Sequence, residues 1–215
     1  MSDVKEKKKI EEQFLLYHLT SVENLEGIFR DGLKPRADLT DFADVADGEI
    51  LKKRKILELD SFVPFHWFAK NPFDGRVQGD NPDKSFVLIC VRRLLAQKNE
   101  WKIIPRHPLA GDEIELLEYD KGFKAIDWEL MNTRDYSNSE CKNVCMAECL
   151  SPEVVKPKDF IMLFAPNSEV SAECMKIVLK AGFNTPVHIN RGMFRNELHQ
   201  PESRESSDLA YRPSR

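Results

Sequence analysis

The sequence has no excess of positive charge, no apolar run that could cross a bilayer and no paired-cysteine spacing, and each absence removes a class of function. Its 32 Lys and Arg stand against 36 Asp and Glu, a net charge of −4 at pH 7. That balance excludes a histone-like coat for polyanions, so any nucleic-acid contact must be a local patch. The longest apolar stretches, such as Phe86 to Val91, fall far below the roughly 20 residues that span a bilayer. No charged-then-apolar leader opens the chain, so a cytoplasmic location with no membrane partner is expected.

Five cysteines, an odd number, do not make a disulfide framework. Cys141, Cys145 and Cys149 recur every four residues, which on one helix would stack three thiols on one face. With no histidine or fourth cysteine nearby and no C-x2-C pair, no metal is expected and ordinary free thiols are. Neither G-x-G-x-x-G nor G-K-S/T occurs, which removes a Rossmann fingerprint and a P-loop. There is no internal repeat.

What is present suits one domain with a sizeable core: 215 residues, 41% hydrophobic and 32% charged. The first dozen residues are rich in Lys and Glu and read as a solvated arm or the start of a helix. Asn196 to Arg215 holds almost no apolar residues and reads as a disordered tail, leaving one domain within residues 1–195. Phe14 to His18 suits a strand, and Thr20 with Glu23 forms a T-x-x-E capping box before a helix whose apolar face is Val22, Leu25, Ile28 and Phe29. Gly32 supplies the stop. Asp38 to Glu49 reads as an acidic amphipathic helix or structured loop, followed by the basic run Lys52 to Lys55.

Phe62 to Phe68 and Phe86 to Val91 read as core strands, with an exposed loop between them marked by Asn71-Pro72, Gly75, Gly79 and Asn81-Pro82. Ile103-Ile104, Asp127-Trp128, Phe160 to Phe164 and Val187 to Ile189 are further short strands. Ser171 to Ala181 is a helix stopped by Gly182. Many short strands with a few helices indicate a mixed α+β fold.

Three places could carry chemistry. His18-Leu19-Thr20 stands at a strand end before a capped helix, where a histidine can face a cleft and amide groups can meet an anion, or can be a half-buried histidine beside a cap. Glu148 lies in the apolar stretch Val144 to Leu150. Such a carboxylate is partly desolvated, as a catalytic acid or a charge stabiliser requires, or is held in an ion pair. Phe62, Phe65, Trp67, Phe68 and Phe73 alternate with His66, Lys70, Asn71 and Arg76. This is either a stacking platform beside cations, suited to a single strand, or an aromatic core strand with a polar loop.

Several segments together resemble one family. Leu16-Tyr-His-Leu-Thr20, Asn24-Leu25, Gly27-Ile28 and Gly32-Leu33 resemble the opening of the DarT toxins, NAD-dependent ADP-ribosyltransferases that modify bases in single-stranded DNA. Phe62-Val-Pro-Phe65 with Lys70-Asn-Pro-Phe73 resembles their Y-V-P-F-Y-F…R-S-P-M block, Ala147-Glu148-Cys-Leu150 their A-E-x-L-V segment, and Pro186 to Phe194 their closing strand. The resemblance implies an ADP-ribosyltransferase-like fold with a central, mainly antiparallel split sheet and flanking helices. It places the nicotinamide end of NAD at His18, Leu19 and Thr20, with Gly27 and Leu33 framing the pocket. Arg54 would contact NAD phosphate and assist proton transfer, and Glu148 would be the catalytic glutamate. An arginine, with a pKa above about 12, is a poor base, so positioning NAD stands beside proton transfer as its role.

The stretch from Asn132 to Ala147, which includes Arg134, would present substrate, and His66, Trp67, Lys70, Asn71, Arg76 and Arg134 would meet the strand. The resemblance also implies a macrodomain antitoxin as partner. Lys70-Asn71 replaces the family's arginine-serine and Trp67 departs from its aromatic pattern. These departures lean towards the guanine-modifying subgroup over the thymine-modifying one. Two other readings are a non-catalytic single-strand binding module and a 2H-type phosphoesterase. The latter needs a second H-x-S/T, which His188-Ile-Asn190 does not supply.

Overall fold

The computed structural model of the protein describes residues 8–39, 58–107 and 116–195. The expected acidic segment beyond residue 39, the basic run with Arg54, most of the N-terminal arm and the tail from 196 lie outside the described residues. Eight strands, β1 (Leu15–Ser21), β2 (Val63–His66), β3 (Phe86–Arg92), β4 (Lys102–Ile104), β5 (Leu117–Glu118), β6 (Glu148–Ser151), β7 (Met162–Ala165) and β8 (Val187–Ile189), form one sheet in the order β5-β4-β6-β2-β1-β3-β7-β8. The β7–β8 pair is parallel and the other pairs are antiparallel. Among the described residues the helices are α1 (Leu25–Asp31), α2 (Pro72–Asp80), α3 (Arg93–Lys98), α4 (Tyr119–Ala125), α5 (Trp128–Thr133), α6 (Ser139–Val144) and α7 (Ser168–Lys180). This is the mixed α+β class that the pattern of short strands indicates, and none of these helices is long and apolar enough to cross a membrane.

Both faces of the central strands are covered, which explains why β1 and β3 read as nearly continuous apolar runs. Leu16, Phe65, Ile89 and Val91 join the larger core, with Leu25, Ile28 and Phe29 of α1. Tyr17, Leu19, Leu88 and Cys90 join a second core with Val77 and Phe194. Successive side chains of a strand point to opposite faces, so neighbours along β1 serve different cores.

The cap before α1 is displaced from its expected position. Ser21 Oγ accepts from the Glu23 amide at 3.4 Å and starts a 3-10 turn over Val22–Asn24. Thr20 stays in β1, its Oγ1 accepting from Asn24 Nδ2 at 3.3 Å. Gly32 ends α1 at φ 94, where a Cβ would come within 2.5 Å of Val154 Cγ1. That close approach lets Leu33 and Val155 exchange backbone hydrogen bonds at 2.9 Å.

Three sequence expectations are corrected. The segment after Asn71 is helix α2, not an exposed loop: Asn71 Oδ1 accepts from the Asp74 amide at 2.9 Å, and Pro72 takes the first helical position. Asp127-Trp128 is not a strand, because Asp127 Oδ1 accepts from the Leu130 amide at 2.9 Å and caps α5. The three spaced cysteines do not share one helical face, because α6 stops at Val144 and Cys149 lies in β6. Cys141 and Cys145 alone approach, with sulfurs 4.0 Å apart.

Arg93, a residue the sequence did not single out, pins the corner where β2 leaves the sheet. Its guanidinium donates to the carbonyls of Leu15 at 3.1 Å and Trp67 at 2.9 Å. The same group lies 4.9 Å from the Trp67 ring centroid. Burial pulls its pKa down to about 10, and the group stays charged at neutral pH.

Candidate active site at a fork in the sheet

β1 pairs with β3 along its whole length, from Leu15 opposite Arg92 to Ser21 opposite Phe86. With β2 it pairs only at Tyr17 opposite His66. β2 instead stays with β6, from Val63 opposite Ser151 to His66 opposite Glu148. Beyond the Tyr17–His66 pair the two halves of the sheet therefore part, and this fork is the split in the sheet.

His18 stands where the fork opens. Its Nδ1 lies 2.8 Å from the Pro64 carbonyl and its ring 5.6 Å from that of Phe65. A carbonyl only accepts, so Nδ1 carries the proton and Nε2 keeps its lone pair. Burial drives the His18 pKa down to about 4; the Pro64 bond opposes this and His66 adds to it. The imidazole is thus neutral at pH 7, a polar neutral group suited to orienting an amide or hydroxyl.

Leu19 and Thr20, next along β1, and Leu33, just past α1, are buried. A Cβ built on Gly27 meets nothing within 4 Å, so packing against described residues does not demand glycine there. Leu33 is tied to Val155 by its backbone, which fixes it beside the end of α1.

Glu148 opens β6 directly after the α6 turn and is only 6% exposed. Ile104, Glu148, His66 and Tyr17 form one row across four strands. Two strand spacings separate Glu148 from Tyr17, about 10 Å between backbones. His18 lies one residue beyond that row with its ring on the Phe65 side. His18 and Glu148 therefore flank the fork from two sides.

On the Tyr17 side a cavity of about 390 Å³ is lined by Tyr17, Phe68, Lys70, Arg134, Tyr136 and Met193, among others. Burial raises the Tyr17 hydroxyl to about 12; Cys90 adds to this, while Arg93 and Arg134 oppose it. The hydroxyl stays protonated. Arg134 lies 4.8 Å from the Phe68 ring centroid, and the Tyr136 hydroxyl donates to the Lys70 carbonyl at 3.3 Å.

The residues expected to meet a strand thus separate into groups. Lys70 and Arg134 come together in this cavity. Trp67 does not join them: it is 1% exposed and packs edge-on against Phe123 and Trp128, so its ring has no free face for a base. Asn71 is equally buried, with its side chain committed to capping α2 and to the Phe68 carbonyl at 3.2 Å. His66 is buried against Phe73, with ring centroids 5.2 Å apart. Arg76 is exposed on α2 and paired with Asp80 at 3.4 Å. The stretch from Asn132 to Ala147 is not one loop, since it contains the end of α5 and all of α6.

Sequence reasoning missed Tyr17, Tyr136 and Asp74. Tyr17 alternates with His18 along β1, and only that period-two signal marked it as facing elsewhere.

A protein-family model described as "ssDNA thymidine ADP-ribosyltransferase, DarT" matches residues 17–195. A curated Thermosipho africanus protein, a DNA ADP-ribosyl transferase-DNA ADP-ribosyl glycohydrolase fusion, is 25% identical over 180 residues, covering 76% of this chain and 45% of that protein. The chain thus spans less than half of that relative. Among solved structures, Thermus sp. 2.9 DarT in complex with ADP-ribosylated ssDNA superposes with a TM-score of 0.75 at 17% identity, covering 88% of this chain and 100% of the other. The same Thermus protein in complex with NAD+ gives 0.69 at 15% identity, covering 85% and 98%. Thermosipho africanus DarTG in complex with ADP-ribose gives 0.67 at 21% identity, covering 84% and 50%. These likenesses carry the fold, and the family match over residues 17–195 makes this chain a member of the DarT family.

Proposed function

We propose that the chain is a toxin-type enzyme that transfers ADP-ribose from NAD to a guanine or thymine base in single-stranded DNA and releases nicotinamide. One observation carries the reading: in a member of this family, a buried glutamate, Glu148, stands in the same cross-strand row as Tyr17, beside the fork that His18 occupies. NAD as co-substrate supplies the nicotinamide–ribose bond, whose cleavage leaves a sugar with oxocarbenium character. Glu148 places negative charge where that positive charge develops, and its burial strengthens the effect. Neutral His18, with Leu19 and Thr20 behind it, orients the nicotinamide end, and Gly27 and Leu33 bound the same pocket.

The bond from ribose C1′ to nicotinamide breaks with its electron pair leaving on nicotinamide, a base nitrogen forms the new bond, and that nitrogen's proton is released. Arg54 serves this step by holding NAD phosphate or by assisting the proton's departure. A domain within residues 1–195 works in the cytoplasm, without a metal, and is countered by a macrodomain antitoxin that removes the ADP-ribose. The family description favours thymine, and the departures at Trp67 and Lys70-Asn71 favour guanine.

The test is incubation with NAD and oligonucleotides each rich in one base, read by mass spectrometry. One ADP-ribosyl adduct per strand is expected on guanine or thymine. Folded protein that modifies none of them overturns the reading. Glu148→Gln is expected to slow transfer by about 10²–10³-fold with the fold intact.

A further inference from the structure

We infer that the cavity between Tyr17, Lys70, Arg134 and Tyr136 holds one unmodified nucleotide of the acceptor strand, next to the base that reacts; this rests on the proposed function. At about 390 Å³ the cavity lies within the usual range of roughly 300–1,000 Å³ for ligand sites. Its walls carry two cationic side chains, three aromatic rings and, among the described residues, no carboxylate. On a chain of net charge −4, such a concentration of cation and ring is a local anion site with stacking surfaces.

The backbone that carries the two cations is fixed. Lys70 and Arg134 both stand on left-handed backbone, at φ 61 and 51, where residues other than glycine are uncommon. The Lys70 amide donates to Asp74 at 3.1 Å and its carbonyl accepts from Tyr136, so the corner is tied on both sides. Arg134 rests on Phe68, with its guanidinium 4.8 Å from the ring centroid.

Position selects the occupant. Tyr17 is both a wall of the cavity and a member of the cross-strand row that runs through His66 to Glu148, so a strand delivering a base to Glu148 from this side passes over it. The His18 ring lies on the other side of β1, towards Phe65, which leaves the Tyr17 side to the acceptor. Lys70 and Arg134 take the phosphate, and the Tyr136 ring, 39% exposed, takes the base face. The Tyr17 hydroxyl, protonated at neutral pH, meets the base edge.

Fluorescence anisotropy with a labelled single-stranded oligonucleotide over a salt series tests this on the full chain. Lys70→Gln and Arg134→Gln should each flatten the slope of log affinity against log salt by about 0.7, the single-strand value for one phosphate contact. Tyr136→Ala should weaken binding about tenfold, and Tyr136→Phe should keep most of it. Lys98→Gln removes one charge from α3 and should match the wild type. Affinities and slopes of the Lys70 and Arg134 variants equal to that control overturn the assignment. Loss of NAD affinity in those variants with strand binding retained also overturns it, because the cavity would then serve the co-substrate. Wild-type protein that binds the strand and never consumes NAD overturns the activity instead.

Discussion

The backbone N–H of Lys70 donates to Asp74 Oδ2 at 3.1 Å, so a carboxyl group only 1% exposed sets the corner from which a solvent-facing lysine projects. Burial raises the Asp74 carboxyl from 3.8 to about 7, against the hydrogen bonds from Asn71 and Lys70 that favour its charged form.

This makes stability pH-dependent with a definite sign. The folded chain keeps the Asp74 proton up to about pH 7, while the unfolded chain loses it near pH 4. The folded state is therefore favoured most below pH 4, and that advantage is lost as pH rises through 7. Asp74→Asn should abolish this component, on the order of 2–4 kcal/mol. Urea unfolding at pH 5 and pH 8 measures it, and an unchanged pH dependence in the variant would count against the buried, protonated carboxyl.

His18 predicts the opposite slope. Its pKa falls from 6.5 to about 4 on folding, so its contribution is complete above 6.5 and is lost as pH falls through 4. ¹⁵N NMR of the imidazole should show the neutral tautomer protonated at Nδ1 throughout pH 5–8. The activity profile should show no acid limb near 6.5 from this group. A titration midpoint near 6.5 would remove the buried fork geometry.

Gly27→Ala separates packing from binding. Helix α1 has open space beside this position, and alanine is favoured over glycine by about 1 kcal/mol in a helix interior. Thermal stability should hold or rise while NAD affinity falls. Undiminished NAD affinity by calorimetry would take Gly27 out of the cofactor pocket.

Trp67→Ala should behave as a core mutation. The ring is enclosed by Phe123, Trp128 and Tyr119 and lies beneath Arg93, so truncation should cost about 3–5 kcal/mol. Denaturant unfolding checks the cost. A stable variant with weakened strand binding would restore Trp67 as a stacking platform.

The sequence by itself determined the parts that local chemistry encodes. Apolar runs marked β1, β2, β3 and β4, Gly32 and Gly182 marked helix ends, and the apolar setting of Glu148 marked a desolvated carboxylate. Where one local signal serves two structures, the sequence could not choose. Asn71-Pro72 suits a turn and a helix start alike, and the Asp74 amide that Asn71 caps decided for the helix. An aromatic run suits a stacking platform and a core alike, and Trp67 became core because α4 and α5, far along the chain, close over it. Strand register, likewise, depends on pairing between distant segments. Only the tertiary structure could therefore part β1 from β2 after a single pair, align Tyr17 with His66 and Glu148, and bring Lys70 beside Arg134.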